Sequence, residues 1–126
     1  MDISRLSVWI IAGLLQGCAP FSIGGYGPDG QSRLEFERRV EAAFRLQNRM
    51  TSKIMLLQKG EVAAKDQDAI LQADQVMQKS CSYLNEYASR DIDGLSQGLL
   101  LPRRVEHTVA ECEAAARVVE ALLKAY

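Results

Sequence analysis

Histidine and tryptophan occur once each in these 126 residues, and proline and cysteine three times each. The lone histidine, His107, has no second imidazole to share a zinc or catalytic site with. Glu106 and Glu111 stand near it, but the Cys and His spacing of a zinc site is missing, so His107 reads as a solvated side chain. No Cys-x-x-Cys, Cys-x-x-Cys-His or Gly-x-Ser-x-Gly occurs. Their absence excludes a dithiol exchange motif, a c-type haem attachment and a hydrolase nucleophile elbow. Neither sign of charge is in excess: 15 Lys and Arg stand against 16 Asp and Glu, for a net charge of −1. A nucleic-acid partner would call for a concentrated basic face, which is not seen. The carboxylate pairs Asp91/Asp93 and Glu111/Glu113 fall on a turn or on exposed faces, where nothing raises a pKa into a catalytic range. Asp91, Asp93 and Gly94 resemble the opening of a calcium loop, but the closing bidentate Glu is missing. These absences predict a protein that is not an enzyme and has no metal, cofactor or small-molecule substrate.

Long apolar runs are equally scarce, and the one present is informative. Leu6–Leu15 is apolar or small throughout and uncharged, preceded by a short polar start carrying Arg5. As a helix it spans about 15 Å, half of a hydrocarbon core of about 30 Å, which suits an export signal better than a transmembrane span. It closes on Leu15-Gln16-Gly17-Cys18, which resembles the lipobox of bacterial lipoproteins. The resemblance implies diacylglycerol on the Cys18 sulfur, cleavage after Gly17 and acylation of the new amino terminus. Ala19 is not the Asp associated with inner-membrane retention in enteric bacteria, so the resemblance further implies an outer-membrane, periplasm-facing protein. Asp2 and Arg5 leave together with residues 1–17, and so does Trp9.

What remains is enough for one small domain. Residues 18–32 read as the lipidated cysteine and a flexible linker: Ala19–Ser32 holds four Gly and two Pro without helical periodicity. Residues 33–126 read as the helical domain. Ser32-Arg33-Leu34-Glu35 is a capping-box pattern at a helix start. Phe36, Val40, Ala43, Gln47, Met50, Ile54 and Leu57 follow at alternating spacings of four and three, a seam that ends before Gly60. A second seam, Ala63, Asp66, Ile70, Ala73, Met77, Cys81, Leu84 and Ala88, predicts one helix to about Arg90. Asp91–Gly94 then breaks it, through Asx-turn chemistry and a Gly able to take φ > 0. Pro102 suits the first position of a third helix, which carries Val105, Val109, Cys112, Ala116, Val119 and Leu123. The polar seam residues Gln47 and Asp66 read as register-setting. No alternating β pattern occurs, and the fold class is all-α: an antiparallel up-down-up three-helix bundle after a cleaved signal peptide and tether.

Opposing the second and third helices so that Met77 meets Ala116 and Leu84 meets Val109 also sets Cys81 against Cys112. The cysteines were not used to assign the seams, so the coincidence predicts a disulfide, of a kind that persists in an oxidising compartment. One segment departs from ordinary loop chemistry. Leu95–Leu101 carries Leu95, Leu99, Leu100 and Leu101, and Arg103 and Arg104 follow. Two readings stand. Either the leucines fold over the end of the bundle and complete its core, or they form an apolar lip for a protein partner or for membrane lipid; the up-down-up order puts this loop at the tether end, nearest the membrane, with the arginines near anionic head groups. The expected function is that of a non-enzymatic accessory or binding module, attached to the outer membrane through lipid on Cys18 and serving an envelope or secretion assembly. Small helical lipoproteins that pilot secretin subunits are similar in architecture. The alternative is a periplasmic inhibitor or exclusion factor acting on an incoming enzyme or conjugation machine.

Overall fold

A computed structural model describes residues 30–60 and 64–126 of the chain. The signal-peptide, Cys18 and linker expectations lie outside the described residues, apart from the linker's last three positions. The described residues form four α-helices and no strand: α1 (Arg33–Gln58), α2 (Ala64–Ser80), α3 (Ser82–Ile92) and α4 (Leu100–Leu123). The protein is all-α.

α1 starts where its capping box is written. The Ser32 hydroxyl accepts from the Glu35 amide at 3.3 Å, and the Glu35 carboxylate accepts from the Ser32 amide at 2.8 Å. Two amides that the helix cannot pair internally are thereby satisfied. Phe36, Val40, Ala43, Leu46, Gln47, Met50 and Ile54 are its buried residues. Leu46 adds a position to the expected seam, and Leu57 is only partly buried. The stripe is wider than a single heptad seam because α1 packs against α2, α3 and α4.

The expected second helix is two helices, and this corrects the sequence reading. No Gly or Pro lies between Gly60 and Gly94, so local propensity predicts continuity. The interruption is the single residue Cys81, at φ −92° and ψ 4°. Hydrogen bonding passes through it, from the Cys81 amide to Met77 and from the Asn85 amide to Cys81, each at 2.9 Å. The departure coincides with a covalent cross-link: Cys81 and Cys112 form a disulfide with their Cα atoms 4.6 Å apart. The helix end is corrected as well. α3 runs through Ile92 rather than stopping near Arg90, and no Asx turn ends it. The Leu95 amide donates to the Arg90 carbonyl at 2.8 Å and the Gly94 amide to the Asp91 carbonyl at 3.1 Å. This is the Schellman arrangement, with Gly94 in the left-handed region at φ 66°.

Residue pairs set the directions of the helices. Gln47 bonds Gln78, Ile54 and Leu57 line a cleft with Ile70 and Leu71, and Val40 and Phe44 line one with Tyr87 and Ala88. α1 and the α2–α3 pair therefore run in opposite senses. The Tyr126 hydroxyl bonds the Asp66 carboxylate near the start of α2, while Arg104 near the start of α4 lies over the Tyr83 ring of α3. α4 thus runs back along α2 and α3, in the same sense as α1, to which Arg39 and Glu113 link it at 3.9 Å. The core lies between them, with Met77, Cys81, Val105, Cys112, Ala116 and Val119 fully buried.

Candidate functional site

Among the described residues, two apolar surfaces stand out beyond the core, apart from exposed Leu34, Met55 and Leu56 on α1. The first is the end of the bundle where α3 passes to α4. Leu99 is 90% exposed, Ile92 78%, Leu100 66% and Leu95 58%. Leu101 differs from them: it is 7% exposed and belongs to the core. The two sequence readings of the leucine segment therefore divide by residue. Leu101 completes the core, which corrects its assignment as a contact residue, and Leu95, Leu99 and Leu100 face outward. The reason is helical phase. α4 begins at Leu100, so Leu101 falls four residues before Val105 and points into the same buried stripe.

That early start also corrects the role of Pro102, which is the third helical residue rather than the first. The position is tolerated because amides in the first turn have no intrahelical partner to lose. Leu99 takes the N-cap place without any side-chain cap bond, where Ser, Thr, Asp or Asn would stabilise the helix. The loop itself is held in place. Arg90 donates to the Ser96 carbonyl at 3.0 Å, Gln97 donates to the Tyr87 carbonyl at 2.8 Å, and the Gly98 amide donates to the Ser96 hydroxyl at 3.3 Å. Gly98, at φ 66°, supplies the left-handed residue this turn requires. Arg103 is exposed. Arg104 lies 5.2 Å from the centre of the Tyr83 ring, so its stem and charge are partly engaged in the fold. Phe36 and Glu37 of α1 line a cleft together with Tyr87, Gln97 and Pro102. The start of α1 and the leucine end are thus the same end of the molecule.

The second surface is a groove between α2 and α4, lined by Ala69, Ala73, Val76, Ala115, Val118 and Leu122 and enclosing about 350 Å³. Val76 and Val118 are 55% and 56% exposed. Neither was singled out in the sequence. The signal that marks them is apolar side chains of good size lying off the seam of an amphipathic helix. A third cleft of about 520 Å³, between α1 and α3, has an apolar floor of Val40, Phe44 and Tyr87 but is rimmed by Arg33, Glu37, Glu41 and Asp91.

Chemistry is sparse on all of these surfaces. Among the described residues no three His, Cys, Asp or Glu side chains come together as a metal-binding group. His107 is exposed. Glu35 is held below the ordinary carboxylate value by the bond from the Ser32 backbone, and then by that from the Ser32 side chain. Glu120 is lowered by its bond from Arg117, and Tyr126 is raised by partial desolvation and then by its bond to Asp66. Each of these shifts belongs to a cap, an ion pair or a helix contact on the surface. No helix among the described residues is long and apolar enough to cross a membrane. Fold and surfaces together define a small all-α protein, cross-linked by the Cys81–Cys112 disulfide, with exposed apolar residues at the leucine end and along the α2–α4 groove. Comparison with known proteins finds no match to a family model, to a curated protein or to a solved structure.

Proposed function

We propose that this chain is a lipid-anchored, non-enzymatic binding protein of the bacterial envelope. Diacylglycerol on Cys18 holds the helical domain at the outer membrane, and the domain presents the α2–α4 groove to a protein partner in an envelope or secretion assembly. The observation that carries the binding reading is the groove itself: Val76 and Val118 stand more than half exposed on either side of a floor of small residues. Such a trough accepts the apolar face of a partner helix, with the alanines allowing close approach. The disulfide supports an exported protein, because buried cross-links of this kind persist outside the reducing cytoplasm.

Two measurements test the reading. Cys18→Ala should leave an uncleaved precursor and abolish incorporation of labelled palmitate; normal maturation without Cys18 overturns the anchor. A photo-crosslinking amino acid placed at Val76 or Val118 in the producing cell should give one discrete protein adduct, while the same probe at exposed Glu41 gives none. Val76→Glu should remove the adduct formed through position 118 without lowering the melting temperature. No adduct at either groove position overturns the partner surface. An adduct with an incoming foreign enzyme or conjugation component would replace the assembly role with an inhibitory one.

A further inference from the structure

We infer that Leu95, Leu99 and Leu100, with Arg103 beside them, rest on the surface of the lipid bilayer, so that the domain lies against the membrane instead of standing off on its linker. The inference builds on the lipid-anchored reading above and names a second contact of the domain with the same membrane.

Three observations converge on it. Leu99 is 90% exposed and caps α4 without a cap bond. A leucine there costs stability as a poor N-cap residue and again as apolar surface left in water, so the fold gives no reason for it. The shape of the surface is the second observation. None of the clefts described above is lined by Leu95, Leu99 or Leu100; they project. A partner helix needs a trough, whereas projecting aliphatic side chains suit a fluid acyl layer that closes around them.

The third observation is where the chain outside the described residues begins. Cys18 precedes Gly30 by twelve residues in sequence, and Gly30 stands just before the α1 start, which shares a cleft with Gln97 and Pro102 of the leucine end. A chain of twelve residues spans at most about 40 Å, so this end is the one that an anchor on Cys18 holds nearest the bilayer. Charge sets the tilt. Arg103 and Arg104 follow the leucines after Pro102, while Asp91 and Asp93 flank Ile92. The Leu99–Arg103 side therefore faces phosphate head groups and the Ile92 side turns away from them.

The test uses the full-length protein purified from membranes and reconstituted into vesicles of phosphatidylethanolamine and phosphatidylglycerol. Trp9→Phe is introduced throughout, so that any tryptophan is a reporter. Leu99→Trp then reports on the leucine end and Leu56→Trp on the last turns of α1, at the opposite end of that helix and 68% exposed. With lipids brominated on their acyl chains, Leu99→Trp emission should be blue-shifted and quenched several-fold more than that of Leu56→Trp. Adding Arg103→Glu should reduce the difference on anionic vesicles. Protein that floats with the vesicles but shows equal, weak quenching at both reporters overturns the contact and leaves the anchor standing. Protein that fails to float overturns the anchor and the contact with it.

Discussion

Gln47 shows how a single polar side chain behaves inside this core. It is 3% exposed, and its amide donates to the Gln78 carbonyl oxygen at a long 3.4 Å. Its own Oε1 is buried without a partner. The Gln78 amide nitrogen donates to Thr51 at 3.2 Å and to Asp74 at 3.3 Å, and because Gln78 is exposed, water can take the place of Gln47 at the Gln78 Oε1. A buried acceptor without a partner costs about 1–3 kcal/mol, and Met matches Gln in length. Gln47→Met should therefore raise the unfolding free energy by about 1–2 kcal/mol, read from the urea midpoint at unchanged slope. A loss of stability would show that the Gln47–Gln78 bond outweighs the orphaned oxygen. Glu35 provides a second test at this scale. The bonds from Ser32 hold its folded pKa below 4.5. The stability linked to this ionisation is fully present above about pH 4.5 and is lost as pH falls through the lower folded value. Glu35→Gln keeps a cap acceptor but removes the titration. The wild-type advantage over Glu35→Gln should shrink between about pH 6 and pH 3 in thermal melts. An advantage that grew on acidification would contradict the cap assignment.

Among the elements, the turn into α4 carries the sharpest contrast. Leu99, Leu100 and Leu101 are adjacent and chemically identical, yet only Leu101 is buried. Leu101→Ala should cost about 2–5 kcal/mol, as deletions of buried aliphatic groups do. Leu99→Ser should stay within about 0.5 kcal/mol, as exposed sites do. Denaturant titrations of the two variants measure this directly. Equal losses would mean that the whole segment is core. The sequence showed that this segment is too apolar for an ordinary loop. It could not separate the three leucines, because the start of α4 was read from Pro102 and the helix begins two residues earlier. The earlier start adds Leu101 to the helix four residues before Val105, on the same buried stripe, and leaves Leu99 at the cap and Leu100 on another face. The groove between α2 and α4 was missed for a related reason. A seam identifies the face a helix buries, but Val76 and Val118 sit beside their seams, and only the neighbouring helix shows that they meet.

At the scale of the molecule, one cross-link ties the α2–α3 junction to the middle of α4. The bridged residues are 31 apart in sequence, and closing such a loop in the unfolded chain is worth about 3–4 kcal/mol in the chain-entropy model. Replacing both cysteines by alanine should lower the melting temperature by on the order of 15–25 °C for a domain of this size. A change under about 5 °C would mean that helix packing alone carries the stability. Much of this arrangement was legible beforehand, because helical periodicity is a local, repeated signal. The 4-3 spacing marked most of the buried positions of α1 and α4, the Ser32–Glu35 box marked the first turn, and the match of two seams predicted the Cys81–Cys112 pair. These features depend on residues within a few turns of one another, or on two straight helices laid in register. The up-down-up order likewise put the leucine segment at the end where α1 starts. The tertiary structure alone decided two further things: that the backbone departs from α geometry at Cys81, and that Leu101 turns inward while Leu99 turns outward. Each depends on where a distant segment lies, and the free energy that settles it comes from packing between helices, not from the propensity of any one of them.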